Sequence, residues 1–273
     1  MRLQGFVFED SRYIDSKPYA VYLPASYDES PEKEYAVLYM MDRQNLFIDS
    51  LAYGGVSWRI DKVVDSLSKL GSIQELIIVG IDHANEKRFS EYVPQKPLES
   101  LPAAYLDSLR SLGQHSPYAD EYLSFLVQEL KPHIDEVFRT KKDAAHTFIG
   151  GSSMGGLISM YALCEYPAVF GGAMCLSTHW PVSLDNTTPE VTTAIVNYMS
   201  ENLPLDKKWY FDHGTEGLDR FYEPYQLQVD SVLMAKGYQH GENWLSQKFE
   251  GHDHNERDWN ARASIPLEFV IGK

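Results

Sequence analysis

The sequence predicts an α/β fold: a mostly parallel central sheet with helices on both faces and no large separate cap. Three observations predict it. Apolar strand-like runs alternate with helix-like ones along the chain. Several strand-like runs are continuously apolar, as strands covered on both faces are. The 273 residues contain no repeat, low-complexity tract or linker, so residues 1–273 read as a single domain.

The elements follow in order. "YAVYLP" (residues 19–24) alternates like an early strand, and "YAVLYMMD" (35–42) is an apolar run ending in Asp, as a buried central strand would. "SWRIDKVVDSLSKLG" (57–71) places Ile60, Val63, Val64, Leu67 and Leu70 at helical spacing, with Gly71 as the stop. "ELIIVGID" is the next strand. A helix starts near Ala119 and carries Tyr122, Leu126, Leu130 and Ile134 on one face, with a kink expected at Pro132. Then come strand "HTFIGGS", helix "MGGLISMYALCEYP", strands "FGGAMCLS" and "KWYFDHGT", a helix over about 221–236, strand "WLSQKFEG" and a helical segment after Asp258. Residues 82–117 show no clean periodicity and read as loops and short turns beside a site.

Composition narrows the function. A net charge of −15 opposes nucleic acid and anionic membranes, both of which need a basic footprint. No stretch approaches the roughly 18 apolar residues of a membrane helix. "MRLQGFVFED" has no apolar run of signal-peptide length, so the sequence as given reads as cytoplasmic. Cys164 and Cys175 lack C-x-x-C spacing and read as buried small hydrophobes. His133 and His146 read as ordinary surface or core residues.

The chemistry centres on "IGGSSMGGLIS" (149–159), between an apolar strand and an apolar helix. A serine on a sharp strand-to-helix turn is pushed out over the helix N-terminus, and such a turn needs small residues two before and two after it. Centred on Ser153 the pentad is Gly-Ser-Ser-Met-Gly, which fits G-x-S-x-G; centred on Ser152, a Met falls where Gly is needed. No lysine follows the glycines, so a phosphate loop does not fit. A nucleophilic serine needs a base, and the base an orienting carboxylate, in the chain order Ser, acid, His for an α/β-hydrolase fold. His179 and His213 come too early and His240 precedes the final strand, which leaves His252 and His254 in "KFEGHDHNERDW". Asp212 falls in a strand end, and Glu216 and Asp219 both lie in the following turn. Spacing alone does not choose within either pair. "HDH" with its neighbouring acids also resembles half a metal site, but no second cluster supplies a third ligand at recognisable spacing, so neither metal nor organic cofactor is expected.

These residues resemble the putative-esterase (esterase D-like) family of α/β-hydrolases, relatives of feruloyl, acetylxylan and siderophore esterases. The resemblance runs over nearly the whole chain: "VLYMMDRQNLF", "RFSEYVP" (with Glu91 where the family usually has Asp), "YLSFLVQELKPHIDEVFRT" and "GGSSMGGLISMYALCEYPAVFGGAMCLS". It implies His254 as the base, from the family's G-x-x-H followed five residues later by an aromatic, here Gly251, His254 and Trp259. It favours Asp219 as the acid, with Glu216 the alternative. It implies an oxyanion hole from Met154 N–H and the Asp42–Arg43 turn, where the Arg43 side chain would narrow or charge the pocket. Trp58, Arg88, Tyr92, His179 and Trp180 are the expected substrate-binding residues. The activity implied is hydrolysis of a small-molecule carboxylic ester through a Ser-His-Asp triad and an acyl-enzyme. A thioesterase or acyltransferase with the same triad, or a non-catalytic binding protein on this fold, are the alternatives; oligomeric state stays open.

Overall fold

The computed structural model describes residues 2–102, 105, 107, 116–182 and 189–272. Its frame is an eight-stranded sheet in the order β1-β2-β4-β3-β5-β6-β7-β8. The strands are β1 (Leu3–Phe8), β2 (Lys17–Tyr22), β3 (Ala36–Met41), β4 (Leu76–Ile81), β5 (Thr147–Ser152), β6 (Gly172–Leu176), β7 (Lys208–Gly214) and β8 (Trp244–Phe249). β2 pairs antiparallel with β1 and β4, and every pairing from β4 to β8 is parallel.

The two-residue period of β3 shows why helices cover both faces. Val37, Tyr39 and Met41 enter one core with the helices α4 (Ala119–Phe125), α5 (Lys131–Val137), α6 (Met154–Glu165), α7 (Pro189–Asn202) and α8 (Glu223–Ala235). Ala36, Leu38 and Met40 enter the other core, against α1 (Ile60–Leu70) and the closing helices α9 (Glu256–Arg262) and α10 (Ser264–Ile271). The Val, Leu and Met side chains among these, taken fully out of water, each contribute roughly 1.5–3 kcal/mol. Gly71 ends α1 at φ 77°, the left-handed geometry expected of a stop.

Several expectations change. The sequence reading missed β1, whose burial never becomes complete at any position, and α7, which lies between the two strands read as consecutive. At Pro132, where a kink is expected, α4 passes through a π-turn (Leu126–Leu130) into α5, and the proline sits in the first turn of α5. The missing proline N–H is absorbed there by a wider turn. Residues 82–117 are not all loop, since they include α2 (Arg88–Tyr92) and α3 (Gln95–Leu98); part of that segment falls outside the described residues.

β3 is where the strand order reverses, with β4 on one side and β5 on the other. Open α/β sheets leave a crevice outside the carboxyl ends of strands at such a point. Asp42 follows β3 and Ser153 follows β5.

Candidate active site

Ser153 stands between β5 and α6 with φ 59° and ψ −124°, a conformation costly for any residue with a side chain. Its neighbours show how tightly the turn is built. A Cβ on Gly151 would lie 2.9 Å from the Gly155 carbonyl carbon, and one on Gly155 would lie 3.0 Å from Met41 Cβ and 3.1 Å from Asp42 Oδ2. The glycines of the pentad are therefore required by backbone packing against β3, as the motif argument expects.

Beside this turn Asp42 also has positive φ (58°) and begins a short 3-10 turn, Arg43–Asn45. The first N–H groups of that turn and of α6 have no acceptor within their own helices. Arg88 fixes the turn from outside: its Nε and Nη2 donate to the two Asp42 carboxylate oxygens, each at 2.8 Å. Arg43 turns its guanidinium to Asp82, Nε–Oδ1 2.5 Å and Nη2–Oδ2 2.7 Å, and so adds no unpaired charge to the crevice.

His254 and Asp219 meet beside this turn. His254 Nδ1 lies 2.6 Å from Asp219 Oδ1. Asp219 is fully buried, and its second oxygen accepts from Ser177 Oγ and from Gly214 N, both at 2.6 Å. Burial alone would raise the Asp219 carboxyl, but the hydrogen bond and charge of His254, with Ser177 and the Gly214 amide, hold it below the usual carboxylate range. Glu216, the other candidate acid, is exposed, and its backbone amide donates to the His252 carbonyl at 2.9 Å. His252 packs its ring on Phe249. The His254 ring stands edge-on to Trp259, 4.9 Å between centroids, and to Tyr222 at 5.6 Å. Among the described residues no hydrogen bond joins Ser153 Oγ to His254; serine–base contacts are often long before substrate binds.

The expected substrate-binding residues separate into two groups. Trp58, Tyr92 and Trp180 are 2 %, 0 % and 0 % exposed, so they pack in the interior. Trp58 packs on Trp259, Tyr92 lies under Arg88, and Trp180 donates from Nε1 to Gln226. His179 is at the crevice: its Nδ1 is 2.5 Å from the Tyr222 hydroxyl, and its backbone N–H donates to the Ser153 carbonyl at 3.1 Å. Burial, reinforced by His254 and Arg88, pushes its pKa down to about 4, so its ring is neutral near pH 7.

Four residues at this site were not found from the sequence: Tyr222, Ser177, Asp212 in its packed role, and Arg262. Tyr222 touches both imidazoles, and Ser153 is close enough to oppose the upward shift that burial imposes on its hydroxyl. Its position three residues after Asp219, on the turn into α8, was the available signal. The other three carry no local motif. Among the described residues, no three His, Cys, Asp or Glu side chains gather as a metal site, and no helix is long and apolar enough to cross a membrane.

A family model described as putative esterase matches residues 14–263. The chain is 24 % identical over 265 residues to an uncharacterized protein, YbbA, of Bacillus subtilis, covering 94 % of each. Among solved structures it resembles an IroE-like serine hydrolase from Shewanella oneidensis (TM-score 0.74, 21 % identity, 98 % of this chain and 80 % of that one). It also resembles a ferulic acid esterase (TM-score 0.70, 20 % identity, 98 % and 97 %). The enterobactin esterase of Shigella flexneri has the same architecture (TM-score 0.68, 16 % identity, 98 % of this chain), and there the chain spans 59 % of the longer protein.

Proposed function

The chain belongs to the putative-esterase family, and from that premise we propose that it is a serine hydrolase that cleaves small-molecule carboxylic esters through Ser153, His254 and Asp219. The observation that carries this reading is the 2.6 Å contact between His254 Nδ1 and a buried Asp219, beside a serine held at positive φ on a strand-to-helix turn. A scaffold that only binds has no need of all three.

The reaction runs in two halves. Ser153 Oγ attacks the ester carbonyl carbon while His254 Nε2 takes its proton, and the tetrahedral oxyanion is bound by the Arg43 and Met154 amides. His254 then gives the proton to the departing alcohol oxygen as the C–O bond breaks, which leaves an acyl-Ser153. Water, deprotonated by the same nitrogen, attacks the acyl carbon, and His254 returns that proton to Ser153 Oγ as the acyl–Oγ bond breaks and the acid leaves. Asp219 keeps the Nδ1–H tautomer in place and stabilises the imidazolium. No step calls for a metal or organic cofactor, and residues 1–273 are taken to act as one domain. The experiment is labelling with a fluorophosphonate, followed by peptide mapping. A single adduct on Ser153 is expected; an adduct elsewhere, or none on folded protein, would refute the reading.

A further inference from the structure

Behind Asp219 lies a buried charge network that the two-step mechanism does not use. Ser177, at φ 42° immediately after β6, donates its hydroxyl to Asp219 Oδ2 at 2.6 Å. The Ser177 hydroxyl oxygen in turn accepts from Trp259 Nε1 at 2.9 Å and from Arg262 Nη2 at 2.7 Å. Arg262 is 1 % exposed and pairs with Asp212, also 1 % exposed, through Nη2–Oδ1 at 3.0 Å and Nε–Oδ2 at 3.2 Å. Its Nη2 is 3.6 Å from Asp219 Oδ2. Asp212 also receives the Ser177 amide at 3.0 Å and the Tyr210 hydroxyl at 2.9 Å. One interior cation therefore stands between two interior carboxylates, and only one of those touches His254.

A structural role explains this poorly. A buried ion pair is seldom more stabilising than apolar side chains of the same volume, because both charges must leave water. Serine at positive φ adds strain, which persists where something requires the side chain in place. Ser177 fills that position because its hydroxyl hydrogen-bonds both to the ion pair and to the candidate triad acid.

We infer that Arg262, Asp212 and Ser177 are positioning residues that set the proton affinity of His254 through Asp219. The inference rests on the proposed triad. Arg262 weakens the hold of Asp219 on the imidazolium, and Asp212 offsets part of that effect. Other groups face His254: His179 and Tyr222 from the loop after β6 and the turn into α8, and Glu256 from α9. They are left intact by the substitutions below, so they contribute a constant background.

The test is an NMR titration of the His254 imidazole, with Ser153→Ala as the parent so that the readout does not depend on turnover. Removing the cation (Arg262→Met) is expected to move the His254 midpoint up by about half a pH unit or more. Removing its counter-charge (Asp212→Asn) is expected to move it down. The double variant, with both charges gone, should return close to the parent although it alters the packing most. Ser177→Ala, the mildest change, should raise the midpoint because Asp219 loses a donor. The acid limb of kcat/KM in the wild-type background should move in the same directions. Shifts of one sign in both single variants, or an unmoved midpoint in Ser177→Ala, would overturn the inference. If either single variant fails to fold, the Ser177→Ala result and the double variant decide it. Absence of esterase activity with the predicted NMR shifts would instead count against the proposed function alone.

Discussion

Asp219→Asn tests the assignment of the acid because the surroundings dictate how the amide must sit. Asp219 Oδ2 accepts two hydrogen bonds, from Ser177 Oγ and Gly214 N, both at 2.6 Å. An amide NH2 placed there would face two donors inside a dry site, so the amide oxygen must take that side. The NH2 is then turned to His254 Nδ1, which has to become an acceptor. That places the imidazole proton on Nε2, where it blocks transfer from Ser153. The fold is retained, since the side chain keeps its shape, while the tautomer is wrong. Comparable substitutions in serine triads cost about 10⁴ in kcat, or about 5 kcal/mol of barrier. The assay is kcat for p-nitrophenyl acetate near pH 7, with circular dichroism of each variant and Glu216→Gln alongside. Glu216→Gln should stay within a few-fold of wild type, because Glu216 is exposed. An Asp219→Asn enzyme within tenfold of wild type, or a larger loss in Glu216→Gln, would refute the reasoning.

Three further outcomes are expected. In Gly155→Ala the new Cβ would sit 3.0 Å from Met41 Cβ and 3.1 Å from Asp42 Oδ2, displacing the turn that carries the Arg43 amide; kcat should fall about 10²-fold with KM little changed, as when one oxyanion donor is lost. Arg88→Met strips both hydrogen bonds from the buried Asp42 carboxylate and should lower stability by roughly 2–4 kcal/mol in denaturant melts. His179 is held neutral in the fold with a pKa of about 4 and regains an ordinary value near 6.5 when unfolded, so the unfolded chain binds the extra proton between those values. Stability should therefore decline as pH falls from about 6.5 toward 4, and His179→Gln should remove on the order of 2 kcal/mol of that decline, read from urea midpoints across the range.

The features legible in the sequence are those written locally. Gly151, Ser153 and Gly155 mark a turn whose backbone permits little else, and the unbroken apolar run of β3 marks a strand covered on both faces. Chain order and family pattern narrowed the base to His254 and the acid to Asp219 or Glu216. Burial separates those two, and it is a tertiary property: only Asp219 is enclosed by Ser177, Gly214 and His254. Trp58, Tyr92 and Trp180, expected among the substrate-binding residues, are interior, because large flat side chains serve a core as readily as a pocket. Arg88, expected among the substrate-binding residues, has its guanidinium committed to Asp42. The Asp212–Arg262 pair joins residues 50 positions apart and Ser177–Asp219 joins residues 42 apart, distances over which no motif extends.

The measurement that bears most directly on the central claim is hydrolysis of p-nitrophenyl acetate by wild type and by Ser153→Ala, both shown folded by circular dichroism. The wild type should turn over the ester, and the alanine variant should fall to the rate of the uncatalysed reaction plus whatever binding and the oxyanion amides retain. Equal rates in the two folded proteins would contradict the claim that Ser153 is the nucleophile.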